Sequence, residues 1–369
     1  MTNWYWLAFG LSFTITVVST LVIRRLAWRW QIVDHPQTAP ERKRHLHPTP
    51  LLGGLAVIVG SLSSLWLAAA WGPLVQPGFP PAFVVGLGLA AGWIAIGGFL
   101  DDRRQLKPGP QILWPLLATI TIIVSGIGVR FITNPFGGLL FLNQWQLLPI
   151  TVGGLTYQLT LWADLFTAVW LMGMMYTTKI LDGLDGLVSG IGVIGALIVF
   201  LLTLRPEVNQ PSVAILALSL AGAAAGFLIF NWHPAKIFLG ESGALYIGLL
   251  LGVMAIISGG KIATALLIMG LPILDLAWVI LQRLSRNRSP FRTADRRHLH
   301  FRLLDAGLST RQSVLMLYGL TLLFGISTLL FHGRQKVYAL LVLVGLMAGL
   351  AGWVARRASR RAGPDQLKP

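Results

Sequence analysis

Two aspartate pairs stand at the ends of long apolar runs. Asp101 and Asp102 close the run GWIAIGGFL, and Asp182 and Asp185 lie in KILDGLDGL between two further runs. Acids are scarce here, 13 against 29 basic residues in 369. An ionised carboxylate beside hydrocarbon is costly, so a pair of them there marks function by default. Carboxylates bind hard cations that also take phosphate oxygens. The pairs therefore suggest metal and phosphate chemistry at a membrane surface.

Each pair has a plainer explanation to beat. On a helix Asp182 and Asp185, three apart, share one face. Capping a helix N-terminus would need only one of them, and Gly183 and Gly186 leave room for a ligand. Asp101 and Asp102 end a run, where carboxylates oppose the helix macrodipole, so capping does not explain them. Arg103 and Arg104 could be simple partners. Adjacent side chains diverge by about 100° on a helix, so the two can serve different groups.

Further candidates are less pointed. Glu241 is the only acid in FNWHPAKIFLGESGALYIG (230–248); it could hold a cation such as Mg²⁺ or cap a helix. His298 and His300 lie in DRRHLH (295–300), with Arg292, Arg296, Arg297 and Arg302 around them. Histidines two apart do not share a helix face, which argues against a helical zinc site. The cluster suits phosphate oxygens; the alternative is a solvated basic loop. RKRHLHPTPLLGG (42–54), with His45, is either a phosphate contact or another basic loop. Asp275, about two turns from Arg283, reads as half of a structural ion pair.

These residues need positioning elements, and composition names their kind. The chain is 55% hydrophobic and 11% charged, where a soluble domain carries about 25% charge. Apolar stretches of roughly 20 residues recur throughout, so the expected fold is an all-α, polytopic membrane bundle. Eleven spans are expected: 3–23, 51–71, 81–100, 112–130, 161–176, 186–204, 212–230, 242–258, 262–282, 315–331 and 337–354. That alternation puts 24 Lys and Arg on one side and 5 on the other. The positive-inside rule makes the first side cytoplasmic, with the N-terminus outside and the C-terminus inside. Both aspartate pairs, Glu241 and the histidines fall on or near the cytoplasmic face. The segment 131–160 suits a short β-hairpin on the outer face. Residues 1–354 form one domain, and 355–369 are a basic, disordered tail that binds anionic lipid headgroups. A net charge of +16 would suggest nucleic acid in a soluble protein; here it serves topology, and no nucleic-acid partner is expected. No Lys or Arg precedes the first run, which excludes a cleaved leader. The absence of cysteine excludes disulfides and thiolate catalysis.

Taken together and in order, these motifs resemble the polyprenyl-phosphate N-acetylhexosamine-1-phosphate transferase family, glycosyltransferase family 4, from about VDHP (33–36) to LSTRQSVLMLY (308–318). HLHFRLLDAGLSTRQ is most similar to its WecA- and TagO-like branch, which is related to the MraY-like enzymes. The resemblance implies transfer of a sugar-1-phosphate from a UDP-N-acetylhexosamine, UDP-N-acetylglucosamine in the first instance, to undecaprenyl or another polyprenyl phosphate. UMP is released and Mg²⁺ is the cofactor. Asp101 would be base or orienter for the acceptor phosphate, with Asp102 beside it. Asp182 and Asp185 would be nucleotide-side acids, Phe238 the uracil platform, and Glu241 the metal ligand. His298 and His300 would lie near the diphosphate, and Lys179, His45 and Arg297 would contact substrate. The chain departs from the family pattern at Tyr176 and Lys179, where Asn is expected, at Glu241 and Ala244, where Asp and Ser are expected, and at Gln111 and Pro115, where Lys and Gln are expected. Other donors, including UDP-N-acetylmuramoyl-pentapeptide, remain open, as do a non-catalytic lipid-binding relative, a transporter, and a homodimeric state.

Overall fold

Helix is found in each of the eleven apolar runs, though the fourth, 112–130, leaves helix after Val124. The computed structural model describes residues 2–38, 47–71, 80–133, 138–152, 155–258, 262–285 and 298–361. Its helices are α1 (Thr2–Arg29), α2 (Gly53–Trp71), α3 (Pro81–Arg104), α4 (Pro108–Val124), α5 (Leu161–Leu181), α6 (Leu187–Thr203) and α7 (Pro211–Asn231). They continue as α8 (Gly240–Ile257), α9 (Ile262–Ile268), α10 (Gly270–Leu284), α11 (Leu299–Asp305), α12 (Thr310–Leu330) and α13 (Arg334–Arg361). Among the described residues, seven (α1, α2, α3, α7, α8, α12 and α13) are long and apolar enough to cross a membrane. The ninth expected span, 262–282, is not one helix. It divides into α9 and α10 at Met269. Pro272 has no N–H to bond the carbonyl four residues back, which breaks the ladder there.

The helix starts follow local chemistry. Proline opens α3, α4 and α7, where its missing N–H costs nothing and its φ is already helical. Ser309 and Gln312 form a reciprocal capping box at the start of α12, which satisfies two otherwise orphaned N–H groups. α13 continues through Arg361, so the first part of the tail expected to be disordered is helical; 362–369 lie outside the described residues.

The all-α expectation needs one addition. Among the described residues three two-stranded antiparallel ladders lie between the helices. β1 (Val33–Asp34) pairs with β2 (Thr49–Pro50), Val33 opposite Pro50. In the segment expected to hold one hairpin there are two: β3 (Phe131–Thr133) with β4 (Leu139–Phe141), and β5 (Gln146–Val152) with β6 (Leu155–Thr160). The register of the last shifts between Gln146 and Pro149, because proline cannot donate to a regular ladder.

α8 is the central post. It packs against α2, α3, α5, α6, α7 and α9, and every residue from Ser242 to Ile256 is buried. A helix apolar all round belongs in an interior. The outer helices instead expose large apolar side chains such as Leu89, Leu323 and Leu341, which is the solvent-facing pattern of a protein surrounded by lipid. α2 and α8 approach so closely that a side chain at Gly54 would overlap the backbone at Gly243, the small-residue contact by which membrane helices pack.

Candidate active site

The two members of the first aspartate pair go to different partners. Asp101 Oδ1 accepts from the Leu106 N–H at 3.0 Å and from Gln111 Nε2 at 2.7 Å. The link from α3 to α4 is only three residues, so α4 returns at once and Gln111, one turn into it, reaches back. Asp102 instead turns to α8, where its Oδ1 accepts the Glu241 N–H at 3.2 Å. Asp102 thus caps α8 from another helix, a favourable place for a carboxylate at a helix N-terminus. Gly240 makes room: its φ is +72° and any Cβ there would strike the Asp102 carboxylate. The other oxygen, Asp102 Oδ2, is buried and has no hydrogen-bond partner among the described residues.

Glu241 opens α8 and pairs with Lys179 Nζ at 2.5 Å. Lys179 lies in the last turn of α5. It also donates to Gln111 Oε1 at 3.1 Å, so Gln111 joins the Lys179–Glu241 pair to Asp101. The Tyr176 ring lies 5.5 Å from the ammonium.

Asp182 and Asp185 occupy the turn between α5 and α6 rather than a helix face, since Gly186 takes φ +80° and starts α6. Burial pushes the Asp182 carboxyl up to about 8, and the charges of Asp185 and Glu241 add to that. Asp185 Oδ2 accepts from His233 Nδ1 at 2.7 Å and from the Ala235 N–H at 3.1 Å. The turn is fastened from below by buried Asn231. Its Oδ1 accepts from the Gly186 N–H at 3.0 Å and Ser189 Oγ at 2.9 Å, and its Nδ2 donates to the Ile237 carbonyl at 3.0 Å. Tyr318 Oη donates to the Gly186 carbonyl, and Arg311 Nε to that of His233 at 3.0 Å.

His298 and His300 reach the same turn. Their rings stack at 5.8 Å, nearly parallel, and a side chain at Gly183 would run into His300. Asp275 Oδ2 takes the His298 Nδ1 proton at 2.9 Å, and Asp275 Oδ1 accepts the Leu299 N–H at 2.8 Å. So Asp275, expected as a structural ion-pair residue, orients one of the motif histidines. Both His300 ring nitrogens are buried without a partner. Burial holds that ring down to about 4; Asp275 raises it and His298 lowers it further. His300 is therefore neutral at neutral pH and could act only as a neutral donor or acceptor.

Phe238 is half-buried, and its backbone is pinned on both sides: its N–H bonds the Pro50 carbonyl at 2.8 Å, and its carbonyl accepts the Gly53 N–H at 3.0 Å. That docks the 230–240 connection onto the start of α2. His45 and Arg297 lie outside the described residues. His233, Asn231 and Asp275 were not singled out as site residues from the sequence. The only signal for the first two is their place in FNWHP, directly before the break that ends α7.

The oxygen ligands can be tested for a divalent cation. Among the described residues no three His, Asp or Glu side chains enclose an ion by themselves. Asp102 Oδ2, which has no hydrogen-bond partner among the described residues, and the carboxyl groups of Asp182 and Glu241 nevertheless offer several oxygen donors close together, and burial favours the protonated form of Asp182 until a cation replaces that proton. Mg²⁺ uses one or two carboxylates and completes its shell with water and substrate phosphate, so this donor set fits it.

Comparison with known proteins agrees with the geometry. The profile described as glycosyl transferase family 4 matches residues 84–259, from α3 through α8. The chain is 32% identical to the decaprenyl-phosphate N-acetylglucosaminephosphotransferase of Mycolicibacterium smegmatis, over 95% of this chain and 87% of that one. It is 29% identical to a probable undecaprenyl-phosphate N-acetylglucosaminyl 1-phosphate transferase of Bacillus subtilis, over 94% and 92%. It is 30% identical to the phospho-N-acetylmuramoyl-pentapeptide-transferase of Pelotomaculum thermopropionicum, over 86% and 95%.

Proposed function

The chain belongs to glycosyl transferase family 4, and from that premise we propose that it transfers N-acetylglucosamine-1-phosphate from UDP-N-acetylglucosamine to undecaprenyl or another polyprenyl phosphate. It is a multi-pass membrane enzyme of the phosphotransferase type. The reaction releases UMP, needs Mg²⁺, and opens the membrane stage of cell-envelope polysaccharide synthesis at the cytoplasmic face of the plasma membrane. The carrying observation is that Asp101, Lys179, Glu241 and Asp102 are joined through Gln111 and the α8 cap where α3, α5 and α8 meet, with Asp182 and Asp185 in the adjoining turn between α5 and α6, where the Asp185 and Glu241 charges act on Asp182.

The reaction exchanges one phosphoanhydride for another. An oxygen of the lipid phosphate attacks the sugar-bearing phosphorus, and the bridge to the uridine-bearing phosphorus breaks. UMP leaves with the bridging oxygen. Any proton on the attacking phosphate goes to Asp101, whose carboxylate is held in orientation by Leu106 and Gln111. Such catalysis is mostly positioning and charge neutralisation. Lys179 supplies a cation, Phe238 offers an aromatic face to the base, and the Asp275–His298 pair presents an oriented imidazole to the diphosphate. Asp102, Asp182 and Glu241 would hold Mg²⁺, which would neutralise diphosphate charge. The strong basic bias of one side supports a cytoplasmic site for the water-soluble donor.

A second donor, UDP-N-acetylmuramoyl-pentapeptide, is favoured by the similarity to the pentapeptide transferase. A transporter would carry its acids near mid-span in broken helices; among the site's acids only Asp275, in the divided ninth span, has such a place. The test is UMP release by purified protein with undecaprenyl phosphate, Mg²⁺ and a panel of UDP-sugars. The assignment requires release with UDP-N-acetylglucosamine and its loss in Asp101→Asn and Asp185→Asn. Release with the pentapeptide donor alone would transfer the assignment to that substrate, and release with none would remove it.

A further inference from the structure

Three positions at which the chain departs from the family pattern touch one another. Lys179 Nζ lies 2.5 Å from Glu241 Oε1 and 3.1 Å from Gln111 Oε1. The same ammonium therefore occupies the carboxylate that a divalent cation would need. We infer that Lys179 is an exchangeable counter-ion for Glu241. It neutralises that carboxylate in the empty site and yields it to a divalent cation when a nucleoside diphosphate brings one in.

This inference rests on the phosphotransferase reading and deepens it. The geometry allows the exchange for four reasons. The pair is mostly buried but keeps an opening to solvent, with Lys179 21% and Glu241 12% exposed at the side chain, so a small cation has a way in. A lysine is a point charge on a flexible four-carbon stem and can turn to a phosphate without losing a bidentate fit. Gln111 Oε1 offers the ammonium a neutral acceptor, which tethers it while it leaves Glu241. Finally, Asp102, which bonds the Glu241 N–H through Oδ1, has its Oδ2 buried without a hydrogen-bond partner among the described residues, so a dication at Glu241 finds a second carboxylate oxygen that the lysine leaves unused. The displaced ammonium then meets the incoming diphosphate, and the affinities for cation and diphosphate become coupled through one side chain. Such coupling is reciprocal.

The test is a Mn²⁺ titration of the full-length protein in detergent, followed by electron paramagnetic resonance, with and without UDP and corrected for Mn²⁺–UDP in the buffer. For the native chain, UDP should tighten Mn²⁺ binding on the order of tenfold. Lys179→Gln should bind Mn²⁺ alone on the order of tenfold more tightly than the native chain and lose most of the effect of UDP. Lys179→Arg, which keeps the charge, should behave as the native chain does. In a Glu241→Gln background the gain from Lys179→Gln should vanish. Unchanged Mn²⁺ affinity in Lys179→Gln, or a gain that persists without the Glu241 carboxylate, overturns the inference. UMP release measured on the same preparations reads the transferase assignment separately: the Mn²⁺ pattern without turnover overturns that assignment alone.

Discussion

Asp275 holds His298 by a 2.9 Å hydrogen bond from Nδ1 to Oδ2 while its other oxygen takes the N–H of Leu299. One buried carboxylate on α10 thus sets both the ring and the backbone at the start of α11. A carboxylate can only accept, so His298 Nδ1 carries the proton of this bond and Nε2 is the nitrogen turned to other partners.

Replacing Asp275 by Asn puts an amide that can donate opposite Nδ1 and favours the other tautomer. We predict that Asp275→Asn lowers kcat for UMP release by about one to two orders of magnitude, the scale of a charged hydrogen bond worth roughly 1.5–3 kcal/mol, with KM for the UDP-sugar changed much less. Unaltered turnover would show that the His298 tautomer is irrelevant.

Asp182 yields a pH prediction. Its carboxyl moves up to about 8 from an ordinary value of 3.8. Between those values the folded site retains a proton that the unfolded chain has lost. Stability therefore falls as pH rises from about 4 to about 8 and levels off above that. Asp182→Asn removes this cost. Thermal unfolding of the variant in detergent should exceed that of the native chain at pH 8 and converge with it toward pH 4. A gap independent of pH would mean that Asp182 ionises normally. The same variant should lose UMP release.

Gly240→Ala should be poorly tolerated. The position has φ +72°, and a methyl group would strike Asp102. The left-handed backbone alone costs roughly 1–2 kcal/mol, and the displaced carboxylate gives up the α8 cap. We expect a lower Tm together with loss of UMP release, whereas Gly319→Ala, which meets nothing within 4 Å, should leave both unchanged.

Asn231→Leu removes three buried hydrogen bonds under the Asp182–Asp185 turn. Each group left unsatisfied costs about 1–3 kcal/mol. The expected result is a fall in Tm larger than that of Gly240→Ala, read by thermal unfolding in detergent.

Much of the helical layout was readable in the sequence, because a membrane helix must be apolar along its length; helix appears in every apolar run, though the ninth holds two helices and seven helices of the described residues are long and apolar enough to cross a membrane. Hydropathy does not register a missing N–H, so the break at Met269 was hidden inside an apolar run containing Gly270 and Pro272. The divergence of Asp101 and Asp102 was readable from helix geometry; the cap that Asp102 makes was not, since its partner is 139 positions away. Asp275 looked structural for the same reason: its neighbours in sequence are apolar, and its partners arrive from α11. Lys179, Glu241 and Gln111 could each be noticed as departures, but only the folded chain shows that they are one contact.

The cap on α8 also bears on how the protein is assembled. Glu241 offers its N–H to an acceptor in α3, a helix that leaves the ribosome 139 residues earlier. Biosynthesis runs from the N-terminus, so the capping carboxylate of α3 is made before the central post that it caps. The histidine-bearing α11 follows only after α8, α9 and α10. A nascent chain ending after α8 would carry both aspartate pairs and Glu241 but lack Asp275, His298 and His300, so the site is complete only once α11 has been made.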